Sequence, residues 1–216
     1  RLDASSDSLL LRGDPDLAYF RASSARYENA EFLILTWEPN SPLLSEESLG
    51  PLVSMVGELQ RLDGVRSVNS ILDVPLLESP PLSLKDLARA DQISTLRDSS
   101  VDRDLALAEF RNSPIYKDLL VSESGDLTAI QVVVDEDQAS KDLLIRRETL
   151  RSQESIGQLD KADQTTLRQV EANYDALQAR STAQRERLVS EVRSVADKFR
   201  EYAHIFVFSP IISYKA

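Results

Sequence analysis

The spacing of apolar residues changes several times along the chain, and each change marks an element. Glu31 to Trp37 (EFLILTW) is a compact apolar run, partly β-branched or aromatic, closed by Pro39-Asn40; it predicts a strand. Ser45-Glu46-Glu47-Ser48 supplies a helix start, with Ser45 as the cap and Ser48 where a capping box has its acid. Behind it Leu49, Leu52, Val53, Val56, Leu59 and Leu62 recur at steps of three and four, the mark of one buried helical stripe. Pro51 falls early enough to be tolerated, and Asp63-Gly64 ends the helix. Val65, Val68, Ile71 and Val74 predict a second strand.

The segments around this unit have their own patterns. Residues 1–28 form a polar lead-in and a short helix opened by Asp14-Pro15, with Leu17, Phe20 and Ser24 facing inward and Tyr27 near its end. Residues 75–117 look inserted: Pro75, Pro80 and Pro81 stiffen the start, and Leu82, Leu84 and Leu87 predict a short docked helix. Asp102 to Asn112 predicts another helix, ended by Ser113-Pro114. Leu119 to Val121, the turn Ser124-Gly125-Asp126 and Leu127 to Val134 then read as a hairpin.

From Gln138 to Glu201 there is no proline and one glycine, Gly157, among strong helix formers. Gly157 predicts a bend between two antiparallel helices, and Asp163 can cap the second. Along that second helix Leu167, Val170, Tyr174, Leu177, Ser181, Gln184, Leu188, Val192, Val195, Phe199 and Tyr202 trace a coiled-coil seam. Its centre, at Ser181 and Gln184, is polar, the mark of local flexibility or a partner contact. Leu143, Leu144, Leu150 and Ile156 offer a thinner facing side on the first helix. Ala203 to Phe208 (AHIFVF) closes the fold as a last strand.

The order is therefore β-α-β, insertion, β-α-β: an α+β fold of the ferredoxin-like split type, its second helix drawn out into an arm. The body spans 29–137 and 202–212, with the arm at 138–201, and the strands near Phe32, Val68, Val132 and Phe206 are expected in one antiparallel sheet.

Charge and composition narrow the function. The 216 residues carry a net charge of −11, which repels phosphate backbones, and the basic residues of the last third are interleaved with acids, so nucleic acid is not an expected partner. With no cysteine there is no disulfide, thiolate metal site or cysteine nucleophile. The start at Arg1, without Met, reads as an excised piece of a longer protein.

Candidate chemistry is sparse. The one histidine, His204, stands at the entrance of the last strand without H-E-x-x-H or comparable spacing and reads as a half-buried strand-edge residue. Asp135-Glu136-Asp137 precedes a helix, where acids favour the N-terminal dipole, and lacks an EF-hand pattern. Neither GxGxxG nor a P-loop occurs, so no cofactor and no catalysis are expected. Tyr27 and Trp37 have two readings, the lining of an amphiphile groove or the filling of a core.

Three stretches carry a resemblance: Leu2-Asp3-Ala4-Ser5-Ser6-Asp7-Ser8-Leu9-Leu10 with Gly13-Asp14-Pro15 and Tyr19; Gly64-Val65 through Leu72-Asp73-Val74-Pro75-Leu76-Leu77 into Ser79-Pro80-Pro81-Leu82-Ser83-Leu84; and Asn112-Ser113-Pro114-Ile115-Tyr116 leading to Leu119-Leu120-Val121-Ser122. In this order they resemble the first large extracytoplasmic loop of RND-superfamily exporters, the MmpL-like and hopanoid-transporter-like branch. The chain departs from that pattern at Phe208-Ser209-Pro210, where the family tends to have a glycine before the proline.

The resemblance implies a porter domain of ferredoxin-like units at the periplasmic face of a bacterial inner membrane. It implies a proton-driven pump for hydrophobic or amphiphilic molecules, lipids among them, joined to transmembrane helices of the same polypeptide and forming a homo-oligomer. The family's proton-relay acids lie in membrane helices, so no residue of this chain inherits that role. The arm, with Leu167, Val170, Tyr174, Leu177, Leu188 and Val192, meets a partner or packs on its own domain. The alternative is a periplasmic coiled-coil adaptor without transport.

Overall fold

A computed structural model describes residues 31–77, 94–113, 116 and 120–209. Among these the chain forms, in order, β1 (Phe32–Pro39), α1 (Glu46–Leu59), β2 (Val65–Asn69), α2 (Arg103–Asn112), β3 (Thr128–Val134), α3 (Gln138–Ser155), α4 (Lys161–Lys198) and β4 (Ala203–Phe208). The sequence-predicted helices around Leu17 and around Leu84 lie outside the described residues, as does Tyr27.

The four strands make one antiparallel sheet in the order β2-β3-β1-β4. Two β–α–β crossings interlock in it: β3 lies between β1 and β2, and β1 lies between β3 and β4. The alternation of side chains along a strand then sorts the sheet into two faces. Leu33, Leu35 and Trp37 of β1, Ile130 and Val132 of β3, and Ala203 and Ile205 of β4 point into one core. Leu52, Met55, Val56 and Leu59 of α1 and Leu188, Val192, Val195 and Ala196 of α4 meet them there. At about 25 cal/mol per Å² of apolar surface, burying these side chains is the dominant stabilising term.

Several local expectations are corrected. In α1, Met55 is buried and Val53 is 41% exposed, because the inward stripe runs Leu49, Leu52, Met55-Val56, Leu59. The Ser48 side chain does not reach back toward the cap; it is buried and accepts a hydrogen bond from the Trp37 indole N–H at 3.3 Å. β2 stops at Asn69, since Ser70 turns the chain: its hydroxyl accepts from the Leu72 N–H at 3.2 Å and donates to Asp73 at 3.2 Å. Ile71 is therefore buried from a turn and not from a strand.

The turns follow their residue types. Gly64 (φ 85°) and Gly157 (φ 71°) occupy the left-handed region, where a Cβ is strained, and they end the α1 connection and the first arm helix. Asp160, not Asp163, caps α4: its carboxylate accepts from the Asp163 N–H at 2.8 Å, so Asp163 falls in the first turn. Asp102 caps α2 in the same way, accepting from Asp104 and Leu105.

Candidate functional site

Helix α4 runs for 38 residues and serves two different neighbours. Its first half lies antiparallel to α3. Arg147 of α3 stacks 4.3 Å from the centre of the Tyr174 ring, Gln178 donates to the Ser140 hydroxyl at 2.8 Å, and Arg151 pairs with Glu171 at 2.7 Å. Its second half belongs to the core of the body. Leu167 and Val170 are buried on the arm, Leu188 and Val192 in the body, with Tyr174 and Leu177 half-buried between them.

The seam does not run through Gln184, which is exposed; it passes from Ser181 to Arg185 and on to Leu188. Arg185 forks onto Glu31, just before β1, with Nε and Nη2 donating at 2.5 and 2.7 Å. The polar centre read from the sequence is thus the root where the arm leaves the body. Tyr202 lies beyond the end of α4 and is exposed, and Ile156, a C-cap residue 63% exposed, does not face α4. Ile145 projects outward as well, so α3 buries little apolar surface and depends on its polar contacts.

Trp37 is fully buried inside the sheet–helix core and reaches no surface groove. Its position matches the core reading. A groove lies elsewhere, along the outer side of α1. Two shallow depressions of about 400 and 360 Å³ meet at Val53 and Arg97. Gly57 and Gly50 are among their lining residues, and a Cβ at either would point into open space. Leu49, Leu72 and Leu96 line one depression together with Glu46, Arg97 and Arg103, and the Arg97 guanidinium is paired with Asp73 at 2.6 Å. The signal in the sequence was two glycines inside a helix, each costing roughly 1 kcal/mol relative to alanine.

The acidic triplet is used structurally. Asp137 caps α3 by accepting from the Ser140 N–H at 3.1 Å. Glu136 accepts from Lys141 Nζ at 2.6 Å and lies 3.6 Å from Arg66. The Lys141 hydrogen bond, opposed by partial desolvation and reinforced by the charges of Lys141 and Arg66, holds the Glu136 carboxyl below its ordinary 4.5. A carboxylate with a lowered folded pKa stabilises above its ordinary value and loses that contribution as pH falls through the lowered one. In a carboxyl NMR titration Glu136 is expected to have a midpoint below that of an ordinary glutamate, and Lys141→Met to move it upward. An unmoved midpoint would show that this bond does not hold in solution.

His204 is exposed on the open face of β4, not half-buried, because the even-numbered positions of that strand point away from the helices. Among the described residues no group of three His, Cys, Asp or Glu side chains is placed to hold a metal, and no helix is long and apolar enough to cross a membrane. Comparison with protein-family models, with curated proteins and with solved structures finds no match to the chain.

Proposed function

We propose that the chain is an extracytoplasmic domain of an RND-type, proton-driven exporter of hydrophobic or amphiphilic molecules, its α+β body ferredoxin-like and its helical arm a contact device. The strand order β2-β3-β1-β4, with α1 and the α3–α4 arm as the two crossings, is the observation that carries this reading. An interlocked order of this kind is what a ferredoxin-like porter unit would have, and it supports the reading made from the β-α-β, insertion, β-α-β pattern. The groove beside α1 supports the substrate class, since its leucines lie beside charged side chains of both signs, a setting for an amphiphile more than for a small polar solute. The arm supports the idea of contacts beyond the body, because it projects a helical hairpin whose outer faces are exposed. In this reading the body walls part of the substrate path, and movements of membrane helices open and close it.

The absence of cysteine allows a direct test of topology and attachment. Ser152, exposed near the tip of α3, is replaced by cysteine in the full-length gene product, with any other cysteines removed. The exporter reading expects Ser152→Cys to react with a membrane-impermeant maleimide on intact spheroplasts and the protein to stay in the membrane after carbonate washing. Labelling together with release by carbonate favours a peripheral adaptor. Protection until the cells are lysed overturns both.

A further inference from the structure

Among the described residues strand β4 forms one edge of the sheet, and its register fixes which of its backbone groups face away from β1. Asn40 N–H donates to the Tyr202 carbonyl at 3.0 Å, and Phe206 N–H points at the Thr36 hydroxyl at 3.1 Å. Hydrogen-bonding groups alternate along an antiparallel strand, so even-numbered residues address β1 and Ala203, Ile205 and Val207 present theirs outward. Two contacts agree with this: Ala203 N–H turns to the Phe199 carbonyl at 3.3 Å, and Arg200 Nη1 donates to the Ile205 carbonyl at 3.2 Å.

The two edges of the sheet differ. β2 is five residues long, has a register shift between Val65 and Ser67, and carries Arg66 within ion-pair reach of Asp135 and Glu136. Short length, irregularity and charge are the usual ways of blunting an edge. β4 has no charged residue, proline or glycine in AHIFVF, and it turns Phe206 (68% exposed) and Phe208 (61% exposed) onto the open face. Its guard is Arg200, whose Nε is held by Asp197 at 2.6 Å.

We propose that β4 pairs edge to edge with β4 of a second copy of this chain, antiparallel, about a two-fold axis through Phe206. A charge of −11 on each copy opposes close approach, and that opposition is least along an uncharged strand such as this one. An isologous contact needs a self-complementary patch, and the register provides one. Keeping the open faces on the same side pairs odd positions with odd ones. Ile205 then exchanges backbone hydrogen bonds with Val207 of the other copy, and Phe206 lies against its own equivalent with Phe208 opposite His204. An axis through Ile205 instead would put Phe206 against His204 and carry Phe208 to the end of the paired stretch. A buried phenylalanine covers about 150–250 Å², so four partly exposed rings fall well short of the ~1,600 Å² of a standard stable interface. Arg200 must also release Ile205. The dimer is therefore a dissociating one, in the micromolar range or weaker on this area.

Disulfide trapping of the 216-residue chain tests the register, since no native cysteine interferes. Opposed Cα atoms at a non-hydrogen-bonded antiparallel position lie about 4.5 Å apart, within the ~4.4–6.8 Å span of a disulfide. Phe206→Cys is expected to cross-link under mild oxidant. Phe208→Cys, whose equivalent lies four residues, or about 13 Å, along the partner strand, cross-links at least roughly tenfold more slowly. Adding Val207→Pro to Phe206→Cys removes an outward N–H without touching the β1 ladder and abolishes the cross-link. Arg200→Ala, which uncovers the Ile205 carbonyl, speeds it and moves dimerisation in sedimentation velocity to lower concentration. Equal rates at the two cysteine positions overturn the proposal. So does cross-linking that survives Val207→Pro in a chain with native circular dichroism. If Val207→Pro disturbs the fold, the Arg200→Ala variant decides, and a rate no higher than that of Phe206→Cys alone overturns it.

Discussion

Trp37→Ala is expected to destabilise the body by about 3–5 kcal/mol, a large part of the roughly 5–15 kcal/mol that holds a domain of this size together. The indole is fully buried toward the end of β1, where the backbone pairs with Thr128 on one side and Ile205 on the other. Removing it leaves a cavity bounded by packed sheet and helix, and it takes the hydrogen bond from the Ser48 hydroxyl. Trp37→Phe retains most of the apolar area and is expected to cost about 1–2 kcal/mol, mainly for the orphaned hydroxyl and the smaller ring. Urea unfolding followed by circular dichroism gives both values. The same pair of variants separates the two readings of this tryptophan. A groove-lining residue would change amphiphile binding at little cost to stability, and a loss below about 1 kcal/mol for Trp37→Ala would contradict the core position.

The sequence was most informative where one period runs without competition. EFLILTW and AHIFVF have too few turn residues to be anything but strands, and the proline-free run after Gln138 has too few β-formers to be anything but helix. The sheet followed from these with the two crossings between them. Ambiguity began where apolar residues crowd. Val53, Met55 and Val56 lie within one turn, and 100° per residue lets the inward stripe pass through either Val53 or Met55. The body decides, since α1 must cover Trp37 and Leu33, and that geometry was not in the local pattern. Asp160 and Asp163 are both good caps three residues apart; what selects Asp160 is its extended backbone after the turn at Gly157. Gln184 and Arg185 differ by one position, and the ion pair with Glu31, far away in sequence, draws the seam through Arg185. The groove was least legible of all, because its lining from α1, Leu72, Leu96, Arg97 and Arg103 is brought together only by the fold.

A charge placed at two points of α4 is expected to have opposite reach. Val192 is fully buried beneath the sheet, so Val192→Asp desolvates a carboxylate without a partner and is expected to cost at least about 3–5 kcal/mol, enough to unfold much of the population. Val170 is buried only between α4 and α3, outside the main core. Val170→Asp there separates two helices whose joint apolar surface is small and whose polar contacts are the Arg147–Tyr174 stack, the Arg151–Glu171 pair and the Gln178–Ser140 hydrogen bond. The arm should melt while the body keeps its stability within about 0.5 kcal/mol, since the sites share no partner. The chain reports the two regions separately, because its single tryptophan lies in the body and much of its helix lies in the arm. For Val170→Asp, ellipticity at low denaturant should fall while the Trp37 fluorescence transition stays in place; for Val192→Asp, both should collapse together. The bidentate Arg185–Glu31 contact marks where that separation occurs, since the helix below it is held by the core and the helix above it by α3. A Trp37 transition displaced by Val170→Asp as far as by Val192→Asp would mean that arm and body fold as one cooperative unit, leaving no independently yielding lever for a partner to grip.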